Sequence, residues 1–278
     1  MTATAADVDG YLAEDEVLAD ARARGEAAGA DPVSAGTGAA LALLAATTAA
    51  RAVVEIGTGC GVSGLWLLRG MAAEGTLTSI DVDPELQRAA RRSFLAAGHG
   101  PGRLRLINGM ALEVLPRLTD GGYDLVLVDV ARSGGGTRIA SGAADYPGYL
   151  AEAIRLLRPG GVLVLDGVLA GGSPDGAAGT ATDDLPGDGP TPAASAEPGA
   201  TEPSATDGAA TDEIPDDGAT AGPATDGSGG AGDPVTDADP AHRAAAGLRE
   251  AARLVRADER LVPALLPLGD GLLVATRR

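Results

Sequence analysis

Short apolar runs alternate with longer amphipathic segments through the central part of the chain. The short runs are rich in Val, Leu and Ile, as is typical of buried parallel strands, and the longer segments have helical spacing. Strands are predicted at residues 52–56, 77–80, 103–107, 125–128 and 162–165, with helices at 63–71, 84–97, 111–118 and 146–157. This alternation predicts an α/β fold with a parallel sheet and helices on both faces.

Further elements are predicted on either side of this alternating region. An amphipathic helix is predicted at 11–28, and an apolar helix follows at 36–46. The apolar side of the first helix contains Leu12, Val17, Leu18 and Ala21. Later in the chain, a helix at 241–256 precedes strands at 261–266 and 272–276. Two strands are too few to fold alone, so we expect them to complete the first sheet.

The alternating pattern is lost between residues 171 and 240. This stretch is built from Gly, Ala, Asp, Thr, Pro and Ser and has only three large apolar residues. It contains too little apolar surface to offset the entropy of ordering, so we expect a disordered insertion. Lengthening a loop from about 10 to about 70 residues adds only about 1.7 kcal/mol of closure entropy. We therefore predict one domain, formed by residues 1–170 and 241–278.

The acidic excess of the chain is concentrated in the same segment. The formal net charge is −18, but residues 170–240 contain 15 of the 39 acidic residues and no arginine. The remainder has 24 acidic residues against 21 arginines, so it is nearly neutral. Because a strongly basic face is missing, neither nucleic acid nor an anionic membrane surface is an expected partner.

Two further features of the composition bear on the compartment. The chain has one cysteine, Cys60, and therefore no intramolecular disulfide, which agrees with a reducing compartment. No apolar stretch reaches the roughly 20 residues that span a bilayer, and residues 1–30 lack a basic start followed by an apolar segment. We therefore expect a soluble, cytoplasmic protein, with Cys60 as a small residue in a tight loop.

The most informative motif is the glycine-rich loop after the first predicted strand. Glu55-Ile56-Gly57-Thr58-Gly59-Cys60-Gly61 leads from that strand towards a helix that starts at Ser63. Glycine lets the backbone turn tightly and approach a ligand closely. The second strand leads into Asp81, whose carboxylate can accept hydrogen bonds from the two hydroxyls of a ribose. These features predict a site for a nucleotide-type cofactor. In the alternative interpretation, Glu55 and Asp81 are merely solvated residues at strand ends.

Two cofactor classes use a loop of this kind. The dinucleotide pattern G-x-G-x-x-G requires a third glycine at position 62, which is Val62 here. The observed order, acid-x-G-x-G-x-G, instead resembles motif I of class I methyltransferases, which bind S-adenosylmethionine (SAM). We therefore expect SAM as the cofactor, with a nicotinamide-dependent enzyme as the alternative.

Several further segments extend this resemblance. The chain is similar to the bacterial O-methyltransferases related to catechol O-methyltransferase, over about residues 11–170 and 241–278. The matching segments are Glu14-Asp15-Glu16, Pro32-Val33-Ser34-Ala35-Gly36-Thr37-Gly38, 55–63, Gly64-Leu65-Trp66-Leu67-Leu68-Arg69-Gly70, Asp81-Val82-Asp83-Pro84-Glu85, 109–118, 123–129 and Arg158-Pro159-Gly160-Gly161. The resemblance implies a Rossmann-like class I methyltransferase fold, with a seven-stranded, mostly parallel sheet whose last strand is antiparallel. It also implies a homodimer formed with the help of the N-terminal helices.

The resemblance assigns the cofactor contacts by position. The residues implied for the methionine end of SAM are Val33, Glu55, Gly57, Thr58 and Ser63. Asp81 would take the ribose, and Val82 would pack on the adenine. Met110 and Ala111 would line the edge of the adenine. In the alternative interpretation, Met110 is an ordinary core residue.

The implied catalytic half departs from the family at two positions. In the family, an acid after the fourth strand and an Asp-Asn pair after the fifth bind a divalent metal, and a lysine acts as base. Here Asp129 and Asp166 occupy the acidic positions, a pair of hard oxygen ligands that suits Mg²⁺, and Asp129 would also contact the substrate. The Asn position is Gly167, and the lysine position is Arg132. Arginine stays protonated and is a poor base, although it could stabilise a phenolate.

The resulting hypothesis is a SAM-dependent O-methyltransferase that acts on a phenolic or catechol-like hydroxyl of a small molecule. Methyl transfer needs mainly alignment, because the sulfonium is already activated, so Arg132 and Gly167 do not exclude activity. Residues 133–144 also look inserted, close to the predicted mouth of the site. The alternative is a catalytically degenerate SAM-binding protein with a regulatory or binding role, in which Asp129 caps a strand without a metal.

Overall fold

Seven strands form a single sheet in the computed structural model, which describes residues 4–130, 145–170 and 240–278. The strands are β1 (Ala52–Ile56), β2 (Thr76–Asp81), β3 (Leu104–Asn108), β4 (Tyr123–Val128), β5 (Leu157–Leu165), β6 (Leu261–Leu266) and β7 (Leu272–Arg277). Their order across the sheet is β3-β2-β1-β4-β5-β7-β6. The order reverses at β1, between β2 and β4, and ligands of open α/β sheets bind at such a reversal.

The pairing confirms the mostly parallel sheet that the sequence predicts. The pairs β1–β2, β2–β3, β1–β4 and β4–β5 are parallel, whereas β7 runs antiparallel to both of its neighbours. The reversed last strand is therefore also confirmed. Because β7 pairs with β5, the two C-terminal strands belong to the same sheet as β1.

Eight helices are described, and they cover both faces of the sheet. They are α1 (Ala5–Asp9), α2 (Glu16–Ala27), α3 (Ala35–Thr47), α4 (Val62–Gly70), α5 (Pro84–Ala96), α6 (Ala111–Val114), α7 (Tyr146–Leu156) and α8 (Pro240–Ala257). Successive residues of β1 supply two separate cores: Val53 packs with residues of α2 to α5, and Val54 with residues of α6 to α8. The central strands β1, β2 and β4 are therefore buried on both sides along most of their length.

The helix predicted at 11–28 is placed too early at its N-terminal end. The structure has a short helix α1 and then α2, which begins only at Glu16. Asp15 starts α2, because its carboxylate accepts a hydrogen bond from the Leu18 amide at 3.0 Å, as an N-cap residue does. Leu12 lies before the helix and is largely exposed, so it takes no part in the apolar side of α2.

Two other predicted boundaries are corrected in physical terms. The helix predicted at 111–118 ends after one turn and continues as a 3₁₀ turn at Leu115–Arg117, because Pro116 has no amide hydrogen for an α-helical bond. The strand predicted at 162–165 begins earlier, at Leu157. Tyr123 pairs with Leu157 and Leu125 with Val162, so the Pro-Gly-Gly segment forms an irregularity within β5.

Several predictions concern residues outside the described part of the chain. Arg132, the inserted segment at 133–144 and the insertion at 171–240 (apart from Pro240, which begins α8) lie there. The disordered insertion and the division into one domain plus an insertion therefore stay predictions. Among the described residues, no helix is both long and apolar enough to cross a membrane.

Candidate functional site

The glycine-rich loop connects the end of β1 to the start of α4. Gly57 has a φ of 97°, and a Cβ atom added there would lie 1.8 Å from the carbonyl oxygen of Asp129, at the end of β4. Only glycine fits this position, because the backbones approach so closely and φ is positive. A Cβ added at Gly59 would meet no atom within 4 Å, so the loop faces open space there.

Asp81 holds this loop from the neighbouring strand. Its Oδ2 atom accepts hydrogen bonds from the amides of Thr58 and Gly59, at 2.8 and 2.9 Å. Its Oδ1 atom accepts one from the amide of Asp83, at 2.9 Å. Burial raises the pKa of Asp81, and the three amide donors oppose that increase. The carboxylate therefore fixes the loop and is not a solvated residue at a strand end.

Glu55 is fully buried beneath the loop. Glu55 pairs with Ser79 of β2 and also faces Ser63 in the first turn of α4. The hydroxyls of Ser63 and Ser79 donate hydrogen bonds to its two carboxylate oxygens, at 2.7 and 2.5 Å. Burial, only partly offset by these two donors, raises the pKa of Glu55 to about 7. The solvated interpretation does not hold for Glu55 either.

The remaining residues implied for the cofactor lie around this loop with different exposures. Thr58 is buried, and its hydroxyl lies 2.7 Å from that of Ser79. Val82 follows β2 and is 51% exposed, which leaves its side chain accessible to a ligand. Met110 is half-buried at the N-terminus of α6, and Ala111 is buried in one of the cores.

A cavity of about 440 Å³ lies beside the start of α3. It is lined by Asp9, Arg22, Asp31, Pro32, Val33, Ser34, Ala35, Thr37, Asp166, Gly269 and Asp270. Among the residues predicted for the site, Val33 and Asp166 are brought together here, whereas Glu55, Asp81 and Asp129 do not line the cavity. No residue of the glycine-rich loop lines this cavity.

An ion pair holds the wall of this cavity. Arg22 donates to both carboxylate oxygens of Glu14, at 2.8 and 2.6 Å, and its Nη2 also donates to the carbonyl oxygen of Val33 at 2.8 Å. The Trp66 indole nitrogen lies 3.4 Å from Glu14, which links the pair to α4. Their hydrogen bonds raise the pKa of Arg22 and lower the pKa of Glu14, so both groups stay charged.

Asp129 and Asp166 follow the paired strand ends of β4 and β5. Val128 and Leu165 are partners in the sheet, and the amide of Asp166 donates to the carbonyl oxygen of Val128 at 3.2 Å. Gly167 has a φ of 78°, a conformation that Asn tolerates better than most residues. The backbone at Gly167 therefore has a conformation that the family's Asn could also adopt, but the side-chain amide of that Asn is missing here. The described part of the chain has no group of three or more potential metal-ligating side chains.

Sequence reasoning missed some of the residues that shape the site. Arg22 was not singled out, although Glu14 was part of the resemblance, and their contact spans eight positions across a turn. The β6–β7 turn reaches the cavity through Gly269 and Asp270. No local signal marks such contacts, because they depend on how α2 and this turn pack against α3.

Comparison with known proteins agrees with this architecture. A family profile described as a methyltransferase domain matches residues 54–168. A relative from Mycolicibacterium vanbaalenii, provisionally named an O-methyltransferase, is 42% identical over 96% of this chain and 86% of its own length. A second relative with such a name, from Mycobacteroides abscessus, is 40% identical over 97% of this chain and 92% of its own length.

Solved structures give the same fold. The O-methyltransferase TomG from Streptomyces achromogenes, determined in complex with SAM, matches with a TM-score of 0.63 and 22% identity, over 96% of this chain and 92% of TomG. A Bacillus cereus O-methyltransferase, in complex with S-adenosylhomocysteine (SAH), matches with a TM-score of 0.63 and 21% identity, over 97% and 94% of the two chains. Taken with the relatives of about 40% identity, these findings show that the chain belongs to the O-methyltransferase family, on a Rossmann-like class I methyltransferase fold.

Proposed function

We propose that this protein transfers the methyl group of SAM to a hydroxyl oxygen of a small phenolic or catechol-like molecule. The observation that carries the proposal is Asp81 at the end of β2, which holds the glycine-rich loop beside the reversal of strand order. An acidic residue in this position is the expected partner of a cofactor ribose. The names of the relatives support oxygen as the atom that accepts the methyl group.

The loop has the features that SAM requires. Asp81 uses Oδ2 for two loop amides but Oδ1 for only one amide, so Oδ1 keeps the capacity to accept a ribose hydroxyl. Gly59 faces open space, so a ligand can approach the backbone closely. Val82 is exposed beside the loop, where it can pack on the adenine.

The protein's part in the reaction is alignment. Bound SAM would supply a methyl group already activated by the sulfonium. We propose that Val33 and the loop residues Gly57, Thr58 and Ser63 position the methionine end, and that the cavity beside Val33 holds the acceptor. Holding two reactants in line contributes a large part of the rate enhancement in such transfers.

We also propose that Asp129 and Asp166 bind Mg²⁺. The two carboxylates follow neighbouring strands, and Mg²⁺ commonly binds through one or two carboxylates with water completing the shell. The ion would lower the pKa of an acceptor hydroxyl. The hydroxyl proton would pass to solvent water, and Arg132 would stabilise the resulting phenolate rather than accept that proton, because a guanidinium stays protonated.

Calorimetric titration tests the cofactor. SAM is expected to bind the wild-type chain, and Asp81→Ala is expected to weaken binding at least about tenfold, since it removes the proposed ribose contact and the anchor of the loop. NADH is expected not to bind. Undetectable SAM binding at millimolar concentration, or unchanged affinity in Asp81→Ala, would refute the SAM site.

Turnover with an acceptor panel tests the chemistry. Catechols, simple phenols and aliphatic alcohols are compared with Mg²⁺ and with a chelator. If the rate of catechol methylation falls when the chelator is added, the result supports the Mg²⁺ site. Equal rates with Mg²⁺ and with the chelator would refute the proposal that Asp129 and Asp166 hold a catalytic metal. Binding of SAM without methylation of any acceptor would favour the degenerate SAM-binding protein, which the departures at Arg132 and Gly167 suggest.

We also propose that the protein is a homodimer in the cytoplasm. The N-terminal segment supports this assembly, because Tyr11 and Leu12 lie exposed between α1 and α2 and offer apolar area to a partner. The single cysteine suits a reducing compartment. Light scattering at tens of micromolar is expected to give the mass of two chains, and a monomer mass would contradict the dimer.

A further inference from the structure

Ser79 lies at the centre of a buried hydrogen-bond chain beneath the glycine-rich loop. It is fully buried in β2 and pairs in register with Glu55 of β1. Its hydroxyl donates to Glu55 at 2.5 Å and lies 2.7 Å from the hydroxyl of Thr58. A hydroxyl carries one proton and can also accept, so Ser79 can satisfy both partners at once. With the Ser79 proton directed to Glu55, the Thr58 hydroxyl is the donor of the second bond.

Thr58 is therefore attached to β2 at two points. Its side chain bonds to Ser79, and its amide bonds to Asp81 at 2.8 Å. Ser79 and Asp81 are two positions apart on one strand, so they lie on the same side of it. The strand thus holds the loop residue through one hydroxyl and one carboxylate.

We infer that Ser79 is a positioning residue for the cofactor: through Thr58 it fixes the loop in the conformation that aims Asp81 at the ribose. The inference rests on the proposed SAM site. Ser79 itself is not accessible to a ligand, because it is fully buried and its hydroxyl lies between the Thr58 hydroxyl and the Glu55 carboxylate. Its role is to make the site rigid before the ligand arrives, which lowers the ordering cost of binding.

Loss of the Ser79 hydroxyl is expected to weaken SAM binding and not only to lower the stability of the fold. Without the Ser79 hydroxyl, Thr58 loses one of its two attachments to β2 and keeps only its amide bond to Asp81, so its side chain is no longer held, although the Gly57 amide still bonds to Ile80 at 2.9 Å. The loop then samples other conformations, and SAM must select the competent one. The acceptor cavity is formed by α2, α3 and the β6–β7 turn, so the acceptor's KM is not expected to change.

The test compares Ser79→Ala with Thr78→Val, each of which removes one hydroxyl from adjacent buried positions of β2. Thr78 points to the opposite side of the strand and takes no part in the hydrogen bonds among Glu55, Ser79 and Thr58. Titration of the full-length protein with SAM is expected to give about a tenfold weaker Kd for Ser79→Ala and an unchanged Kd for Thr78→Val. Adenosine, which contains the ribose, is expected to lose affinity as SAM does.

A second variant, Thr58→Val, breaks the same bond from the loop side. Since the two hydroxyls act as a unit, Ser79→Ala and Thr58→Val are expected to be non-additive, with the double variant binding SAM like either single one. Thr58→Val also carries the test if Ser79→Ala does not fold.

Three results would overturn the inference: an unchanged SAM Kd in Ser79→Ala, equal losses in Ser79→Ala and Thr78→Val, or additive effects of Ser79→Ala and Thr58→Val. The last would indicate that the Thr58 hydroxyl contacts the cofactor directly. A wild-type chain that binds no SAM would instead refute the proposed function itself.

Discussion

Replacement of Glu55 by glutamine is expected to change how stability depends on pH. Glu55 is completely buried, and its pKa is raised from 4.5 to about 7, chiefly by burial. In the unfolded chain the carboxyl ionises near its ordinary value. Between these two values the folded state binds one more proton than the unfolded state, so the free energy of unfolding falls as pH rises.

The magnitude follows from the size of the shift. Each pKa unit corresponds to about 1.4 kcal/mol, so a shift from 4.5 to about 7 removes about 3 kcal/mol of stability between pH 4.5 and pH 7. Glutamine has nearly the same shape and does not ionise. The wild type is therefore expected to lose about 3 kcal/mol relative to Glu55→Gln across this range, with a plateau above pH 8.

Urea unfolding at half-unit steps from pH 4.5 to pH 8.5 measures this difference. Subtracting the two curves cancels the titration of groups that the variants share, apart from Asp81, whose charge acts on Glu55. Thr78→Val serves as control and is expected to differ from wild type by a constant amount. A difference between wild type and Glu55→Gln that is flat across the range, or that has the opposite slope, would show that Glu55 ionises normally in the fold.

Three further predictions concern the loop, the cavity and the long segment after β5. Gly57→Ala is expected to lower the free energy of unfolding by more than 2 kcal/mol, whereas Gly59→Ala costs about 1 kcal/mol, because only the first places a Cβ atom inside a neighbouring carbonyl; similar losses in urea unfolding would contradict this contact. Arg22→Gln should cost about 2 kcal/mol and raise the KM of the acceptor, while the exposed Arg88→Gln costs under about 0.5 kcal/mol; equal effects would remove the role of Arg22 in the cavity wall. Replacing residues 172–239 by a short Gly/Ser linker is expected to leave the melting temperature and the SAM affinity unchanged, and a fall of several degrees would show that the segment folds against the domain.

The positions of the strands could be predicted because the alternating pattern marks them, whereas the reversed last strand was implied only by the family resemblance. The runs at β1 and β4 are mostly apolar, and β2 has Leu77 and Ile80 on opposite sides, as is typical of parallel strands covered by helices on both faces. The glycine-rich loop was visible for a similar reason, since the close approach of Gly57 to β4 allows no side chain.

Features that depend on contacts between distant segments could not be predicted in the same way. The start of α2 was misplaced because the sequence before Asp15 has helical spacing, and spacing does not reveal that Leu12 lies outside the helix. The buried state of Glu55 was also hidden. A carboxylate at a strand end is ordinarily solvated, and only the cover provided by α4 and the partner Ser79 makes this one different.

Transfer of a labelled methyl group tests the central claim most directly. The wild-type chain is incubated with SAM carrying a ¹³C-methyl group, a catechol and Mg²⁺, and the product is examined by carbon NMR. We expect a single new signal in the chemical-shift range of an aryl methyl ether, absent when the chain is omitted and strongly reduced in Asp81→Ala. A labelled methyl group found on nitrogen or carbon, or no product from any hydroxylated acceptor although SAM binds, would contradict the assignment as an O-methyltransferase of small hydroxylated molecules.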